Sequence, residues 1–280
     1  MIRINVVSEL YFEYAKECME EFPECEFILG DHDFEDSQIL WGNVNTTALP
    51  LCRNLKWVHT NSAGVDAFIK DKDLFPKTAK LTTATGAYNL TISEYLLATH
   101  LSLYKNLHLY RDNQNEQIWK RAGDIKCISG STVVILGMGD IGTAYAKLLK
   151  AMGAYVIGIR RSDTRKPDFV DEIYLGDKLE SVLPRADMLA ITLPGTEKTK
   201  NMITKKELSI MKDGAMIMNI GRGMIINTND LCDALESGKI SAVGLDVVDP
   251  EPLPKEHKLW GMKNVIITPH TSGEFASSYT

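Results

Sequence analysis

Residues 131–162 hold the stretch that most constrains the fold. The run TVVIL at 132–136 is apolar and β-branched, and short enough for a strand buried on both faces. Gly137-Met138-Gly139-Asp140-Ile141-Gly142 follows at once. Ile141, Ala144, Tyr145, Leu148, Leu149 and Met152 then recur at helical spacing, Gly153 is placed to stop the helix, and 155–159 reads as the next strand. A GxGxxG alone is a weak signal. Between a strand and a helix, inside a unit of about 30 residues, it is a dinucleotide fingerprint. Gly137 makes the tight turn, Gly139 lets the backbone reach a pyrophosphate, and Gly142 lets the helix pack on the strand. The free N–H groups of the first helical turn, at Asp140 and Ile141, then face the phosphates.

The end of the second strand selects the nucleotide. An acidic residue there binds the ribose 2′-hydroxyl of NAD, whereas arginine accommodates the 2′-phosphate of NADP. The place falls on Arg160, Arg161 and Ser162, with Thr164 and Arg165 just beyond, and no carboxylate precedes Asp163. Two guanidiniums and a hydroxyl suit a phosphate dianion by charge and by fork geometry. NADP(H) is therefore the expected cofactor, with NAD(H) as the alternative.

A chain of 280 residues can bury a full core, and two domains are expected rather than one. The net charge of −6 argues against a nucleic-acid or anionic-membrane partner. No apolar stretch approaches about 20 residues, so no bilayer span is expected. MIRINVV runs straight into a strand pattern, without signal-peptide architecture. Cysteines 18, 25, 52, 127 and 232 are odd in number and lack metal-ligand spacing, which reads as reduced thiols of a cytoplasmic protein without a metal site.

Along the chain, 2–7, 26–29, 38–41 and 56–60 read as strands, and 9–21 as a helix with Leu10, Tyr14 and Cys18 on one face. The small residues of 61–66 form a turn after the fourth strand. A long helical pattern covers 91–110, with apolar positions on more than one face, as for a helix packed on two neighbours. Polar residues 111–130 lead to the fingerprint. Beyond it, 188–192, 215–220, 241–248 and 265–268 read as strands. A helix starts at Asn229, turns Leu231, Ala234 and Leu235 inward, and is ended by Gly238. Such alternation implies mostly parallel sheets with helices on both sides.

In doubly wound sheets the carboxyl ends of the strands line the ligand crevice. Three loops there supply candidate chemistry: 219–223, 249–254 and 268–273. Arg222, exposed between two glycines, suits bidentate capture of a carboxylate. His270 exchanges a proton near neutral pH. Glu251, in a loop with three prolines, is placed to hold that imidazole. Reduction of a carbonyl needs such a proton donor, a cation to polarise the oxygen, and a hydride source.

The segments NSAGVD, TISEYLLA, GMGDIG, ADMLAITLPGTEKT, NIGRG, VGLDVVDPEPLP and TPHTSG occur in this order. Through them the sequence resembles, from about residue 1 to 273, the D-isomer-specific 2-hydroxyacid dehydrogenase family, of the NADP-type glyoxylate/hydroxypyruvate reductase kind. The resemblance implies an α/β protein of two doubly wound parallel-sheet domains: a flavodoxin-like substrate domain over 1–95, joined by 272–280, and a Rossmann dinucleotide-binding domain over 96–271. It implies an oxidoreductase that interconverts a small 2-oxoacid and the D-2-hydroxyacid by hydride transfer. Arg222 would bind and polarise the oxoacid, and His270, paired with Glu251, would be the acid/base. Asp246 would sit by the nicotinamide, with Leu193, Pro194, Thr199 and Ile220 along the cofactor. Backbone N–H groups of Ala63 and Gly64 would bind the substrate carboxylate, and Trp41 would roof the pocket. A homodimer through the cofactor domain and the long helix is expected. Two other readings are a formate-dehydrogenase-like enzyme, for which Glu251 stands where a glutamine belongs, and a non-catalytic NADP(H)-sensing scaffold. Resembling proteins continue past the histidine with a helix returning to the first domain, whereas this sequence ends at Thr280.

Overall fold

Strands and helices succeed one another along the described chain, in two separate units. A computed structural model describes residues 1–162 and 165–274. The first unit is Met1–Tyr88, and the second begins at Asn89. The seam expected at 95/96 thus falls ahead of a helix rather than inside it. Of the 272–280 stretch assigned to the first domain, 272–274 lie in the second unit, and 275–280 are outside the described residues.

The first unit contains β1 (Ile2–Val6), α1 (Phe12–Glu21), β2 (Cys25–Leu29), β3 (Ile39–Trp41), β4 (Trp57–Thr60), α2 (Asp66–Lys70) and β5 (Lys80–Thr83). Its sheet is wholly parallel, in the order β2-β1-β3-β4-β5. The order reverses at β1 and β3, and Trp41 is the last residue of β3. Leu40, Leu49 and Val58 form the centre of its core, with Phe34 and Phe68 around them. Helix α1 buries Ala15 alone, and the expected face of Leu10, Tyr14 and Cys18 is not buried. A 3-10 turn over Glu9–Tyr11 changes the phase before the α-helix begins.

The second unit contains α3 (Asn89–Tyr104), α4 (Leu107–Asn115), β6 (Thr132–Leu136), α5 (Asp140–Ala151), β7 (Tyr155–Arg160), β8 (Glu172–Leu175), α6 (Leu179–Val182), β9 (Met188–Ile191), α7 (Lys205–Ile210), β10 (Ala215–Asn219), α8 (Thr228–Glu236), β11 (Ile240–Leu245) and β12 (Val265–Ile267). All seven strands are parallel, in the order β12-β11-β10-β9-β6-β7-β8. Alternate residues feed two apolar layers. Leu136, Leu189, Ile217 and Val243 pack with Leu231 and Leu235 of α8, while Ile135, Ala190 and Met218 pack with Leu96 and Leu103 of α3 and Leu149 of α5. Among the described residues no helix is long and apolar enough to cross a membrane.

The register decides where function can sit. Ile159, Leu136, Ile191, Asn219, Leu245 and Ile267 pair in one continuous row across β7, β6, β9, β10, β11 and β12. Every polar candidate in this unit lies just past that row, at the carboxyl edge. The order reverses between β6 and β9, the switch point at which open α/β sheets take ligands.

Three local expectations are corrected. The helix expected over 91–110 is two helices, broken at Asn106, which adopts φ +55° and donates from Nδ2 to the carbonyls of Ala122 (2.6 Å) and Asp124 (3.0 Å). Helix α8 is capped by Asn227 rather than started at Asn229, since the Asn227 side chain accepts from Asp230 N–H at 3.1 Å. Met152 lies past the end of α5 and is exposed, while Gly153 takes φ +82° and ends the turn.

Candidate active site

The glycine-rich turn after β6 leaves a gap at one position only. Gly137 has φ +116°, and a Cβ there would meet Thr192 Oγ1 at 2.8 Å. A Cβ on Gly142 would lie 2.2 Å from the Gly137 carbonyl oxygen, so this glycine lets α5 close onto the turn. A Cβ on Gly139 would meet nothing within 4 Å. The first bond of α5 runs from Thr143 N–H to Gly139 O at 2.9 Å, and the N–H groups of Gly139, Asp140, Ile141 and Gly142 donate to no described residue. Open space above free donors at a helix start fits a dinucleotide pyrophosphate. The Asp140 carboxylate accepts from Asn89 Nδ2 at 3.0 Å, which turns it toward the start of α3.

Arg160 closes β7, half-buried, with Nη1 3.4 Å from the Arg165 carbonyl. Arg161 and Ser162 follow it, exposed, while Asp163 and Thr164 lie outside the described residues. In the loop after β9, Leu193 is half-buried and Pro194 exposed. Thr199 and Ile220, also expected along the cofactor, make contacts within the unit. The Thr199 hydroxyl is 2.8 Å from the Pro194 carbonyl and 2.8 Å from the Thr196 N–H, holding its own loop. Ile220 is 7% exposed and packs in the layer under α3 and α5.

The loop after β10 is wedged between its neighbours. Asn219 is buried; its Nδ2 donates to the Arg222 carbonyl at 2.9 Å and its Oδ1 accepts from Gly221 N–H at 3.0 Å. A Cβ on Gly221 would lie 2.4 Å from Leu193 O, and one on Gly223 would lie 2.0 Å from the Val248 carbonyl carbon. Neither site tolerates a side chain, and Arg222 alone projects between them. It is half-buried rather than exposed, with Nη1 donating to Gly221 O at 2.6 Å.

Glu251 and His270 meet. His270 Nδ1 is 3.0 Å from Glu251 Oε2, while Glu251 Oε1 accepts from Val248 N–H at 3.0 Å. Both side chains reach solvent, at 48% and 38% exposure, so the imidazole can meet a small molecule. His270 adopts φ +57°, a left-handed conformation that costs a non-glycine residue roughly 1–2 kcal/mol. Asp246 supplies the compensation. It is 2% exposed. Its Oδ1 accepts from Thr268 Oγ1 (2.6 Å) and Thr271 N–H (2.9 Å), its Oδ2 from Ser272 N–H (3.1 Å), and its carbonyl from His270 N–H (2.8 Å). Asp246 is thus the post around which the 268–272 turn is wound.

In the first unit, Trp41 stacks on Tyr11, with ring centroids 5.3 Å apart and planes inclined by 15°. Burial pushes the Tyr11 phenol up, beside the Asn61 side chain. The turn after β4 is tied by Thr60 Oγ1 to Ser62 O (2.9 Å) and Ser62 Oγ to Gly64 O (2.9 Å). The N–H groups of Ala63 and Gly64 donate to no described residue. Asn219 and Thr268 lie in the candidate loops 219–223 and 268–273, whereas Tyr11 and Tyr95, whose hydroxyl is 2.7 Å from Thr268 Oγ1, are found only in the fold. Asn219 carries a further local signal, being polar at the end of the apolar run AMIMN.

The family model of the D-isomer specific 2-hydroxyacid dehydrogenase NAD-binding domain matches residues 97–272. A D-2-hydroxyacid dehydrogenase (NAD(+)) of Clostridioides difficile is 35% identical over 240 residues, 80% of this chain and 71% of the relative. The crystal structure of a D-isomer specific 2-hydroxyacid dehydrogenase family protein from Aeromonas salmonicida is 31% identical, with a TM-score of 0.86 over 99% of this chain and 92% of that one. An NADPH-dependent glyoxylate/hydroxypyruvate reductase of Sinorhizobium meliloti, solved with NADP and sulfate, is 25% identical with a TM-score of 0.85, over 98% of this chain and 90% of that one. With its fingerprint turn, its two parallel sheets and these likenesses, the chain belongs to the D-isomer specific 2-hydroxyacid dehydrogenase family.

Proposed function

We propose that this 2-hydroxyacid oxidoreductase works as an NADP(H)-dependent reductase of a small 2-oxoacid, giving the D-2-hydroxyacid. The observation that carries the reading is the His270–Glu251 pair, 3.0 Å apart, with His270 on a turn wound around a buried aspartate. Relatives named for NAD(+) and for NADPH both resemble the chain, so the choice of cofactor rests on its own Arg160, Arg161 and Ser162. Gly139 and the first turn of α5 would hold the pyrophosphate, and those three residues the 2′-phosphate. When bound, the reduced nicotinamide supplies the hydride for the carbonyl carbon.

The chain's own groups do the rest. Because Nδ1 of His270 faces Glu251, Nε2 is the atom left to give its proton to the carbonyl oxygen. Glu251 keeps the ring aimed. Arg222 stabilises the charge that develops on the oxygen. The N–H groups of Ala63 and Gly64 suit the substrate carboxylate, with Trp41 over its side chain. We further read the protein as a cytoplasmic homodimer, a setting in keeping with five unpaired cysteines.

The test is a panel of glyoxylate, hydroxypyruvate, pyruvate and a branched 2-oxoacid with NADPH and with NADH, followed by absorbance. Turnover with NADPH and at least one oxoacid is expected, and His270→Ala should lower kcat by about 10²–10⁴-fold. A His270→Ala variant that turns over like the wild type removes the mechanism.

A further inference from the structure

Helix α3 reaches the catalytic turn through two hydroxyls. Tyr95 OH lies 2.7 Å from Thr268 Oγ1, and Thr268 Oγ1 lies 2.6 Å from Asp246 Oδ1. The direction of this chain follows from the groups. A carboxylate only accepts, so Thr268 gives its proton to Asp246, and its oxygen is left to accept from the Tyr95 phenol. Burial raises the Tyr95 pKa and keeps the phenol a donor. Of residues 268–272, only Pro269, which has no N–H, lacks a bond to Asp246. Thr268 is the one member that holds the aspartate by a side chain and also joins it to another element.

We infer that Thr268 and Tyr95 are positioning residues of the reduction, fixing the orientation of the Asp246 carboxylate and, through the turn it anchors, the left-handed backbone of His270. The inference rests on the reading of His270 as proton donor. Without the Thr268 hydroxyl, Asp246 Oδ1 loses one of its two donors and can swing. The Thr271 and Ser272 N–H groups bound to that carboxylate then move with it and carry the adjoining His270, whose own N–H is held by the Asp246 carbonyl. The imidazole is displaced while the glycine-rich turn, carried by other strands, is untouched. The effect therefore belongs in kcat, not in cofactor affinity. Rigidity comes from α3 as a whole, because Gly244 of β11 brings the sheet close to it: a Cβ at Gly244 would meet Thr99 Cγ2 at 2.5 Å.

The experiment compares Thr268→Val, Thr268→Ser, Tyr95→Phe and His270→Ala. It uses NADPH and whichever oxoacid of the panel the wild type reduces fastest, with kcat and KM resolved separately. Affinity for NADPH is titrated by fluorescence. Thr268→Val should lower kcat by about tenfold or more, toward the ~10²-fold that an ångström of misplacement costs. Its affinity for NADPH should stay within about twofold, and Thr268→Ser should restore most of the turnover. Tyr95→Phe, one bond further away, should cost roughly threefold in kcat. An unchanged kcat in Thr268→Val beside an inactive His270→Ala overturns this inference alone. So does a serine variant as slow as the valine one, or a joint collapse of NADPH binding and thermal stability, which marks a merely structural role. An active His270→Ala overturns the underlying mechanism instead.

Discussion

Gly139 and Gly142 share one turn and differ in what surrounds them. A methyl at Gly139 has free space around it in the folded chain, yet stands where the pyrophosphate of the proposed cofactor would approach. A methyl at Gly142 collides with a backbone carbonyl at 2.2 Å. Gly139→Ala should therefore melt within about 0.5 kcal/mol of the wild type while losing most of its affinity for NADPH. Gly142→Ala should lose about 1–3 kcal/mol of stability along with binding. Thermal melts and fluorescence titrations separate the two, and wild-type affinity in Gly139→Ala would place the pyrophosphate elsewhere. Arg160→Asp tests the neighbouring ribose. It removes a charge-assisted contact and adds repulsion, so kcat/KM for NADPH should fall by roughly 10–100-fold while that for NADH holds or rises. An unmoved ratio of the two efficiencies would refute the phosphate clamp. Such glycines are legible from sequence because their function depends on local spacing alone. The orientation of a polar atom is not. A motif names Thr199 and Asp246, but only the folded loops reveal that the first serves its own turn and the second anchors four residues downstream of β12.

Helices α3 and α5 meet around buried polar groups. His100 Nδ1 is 2.6 Å from the Tyr145 hydroxyl, Tyr104 meets the imidazole edge-on at 4.2 Å, and all three residues are fully or almost fully buried. Burial pushes His100 down to about 3 and raises Tyr145. The unfolded chain binds a proton at His100 below about 6.5, whereas the folded chain binds it only near 3. Stability therefore falls as pH drops from 6.5, by up to about 1.4 kcal/mol per pH unit from this group, and gains nothing from it above 6.5. His108, lowered by burial too, adds to that slope. Glu172, held down to about 2 by Arg185 and then by Tyr155 and Tyr174, contributes stability above 4.5 and loses it only below. Melts between pH 6.5 and 5 thus isolate the histidines, and His100→Gln, whose amide oxygen can still accept from Tyr145, should flatten the slope. An identical slope in that variant would exclude His100 as its source. The same two helices show what sequence conceals. Periodicity runs through Asn106 without a break, because the kink is caused by contacts with Ala122 and Asp124. Strands β5 and β8, KLTT and EIYL, give no strand signal in the sequence, since at sheet edges they lack the apolar run that reveals the central strands.

At the scale of the molecule, each unit closes its own core, so nothing within either requires the large apolar residues left outside. Leu107 is 52% exposed, Ile118 44%, Ile125 50%, and Trp119 104%, all within one stretch after α3. Scattered exposed leucines are ordinary, but a fully solvated tryptophan among other apolar residues costs solubility unless a partner covers it. The net charge of −6 leaves a second copy free to dock by apolar contact, since the segment 107–125 itself mixes basic and acidic side chains. In a homodimer of 31.2 kDa chains, Trp119 would be the anchoring residue, the type whose loss costs an interface 2 kcal/mol or more. Trp119→Lys should then weaken self-association by about 30-fold or more and shift the sedimenting species toward one chain at micromolar concentration. The glycine-rich turn and the His270 turn lie on other loops, so NADPH affinity per chain should persist in the variant. A wild-type protein that sediments as a single chain at those concentrations would refute the dimer, and Trp119 would then need another partner.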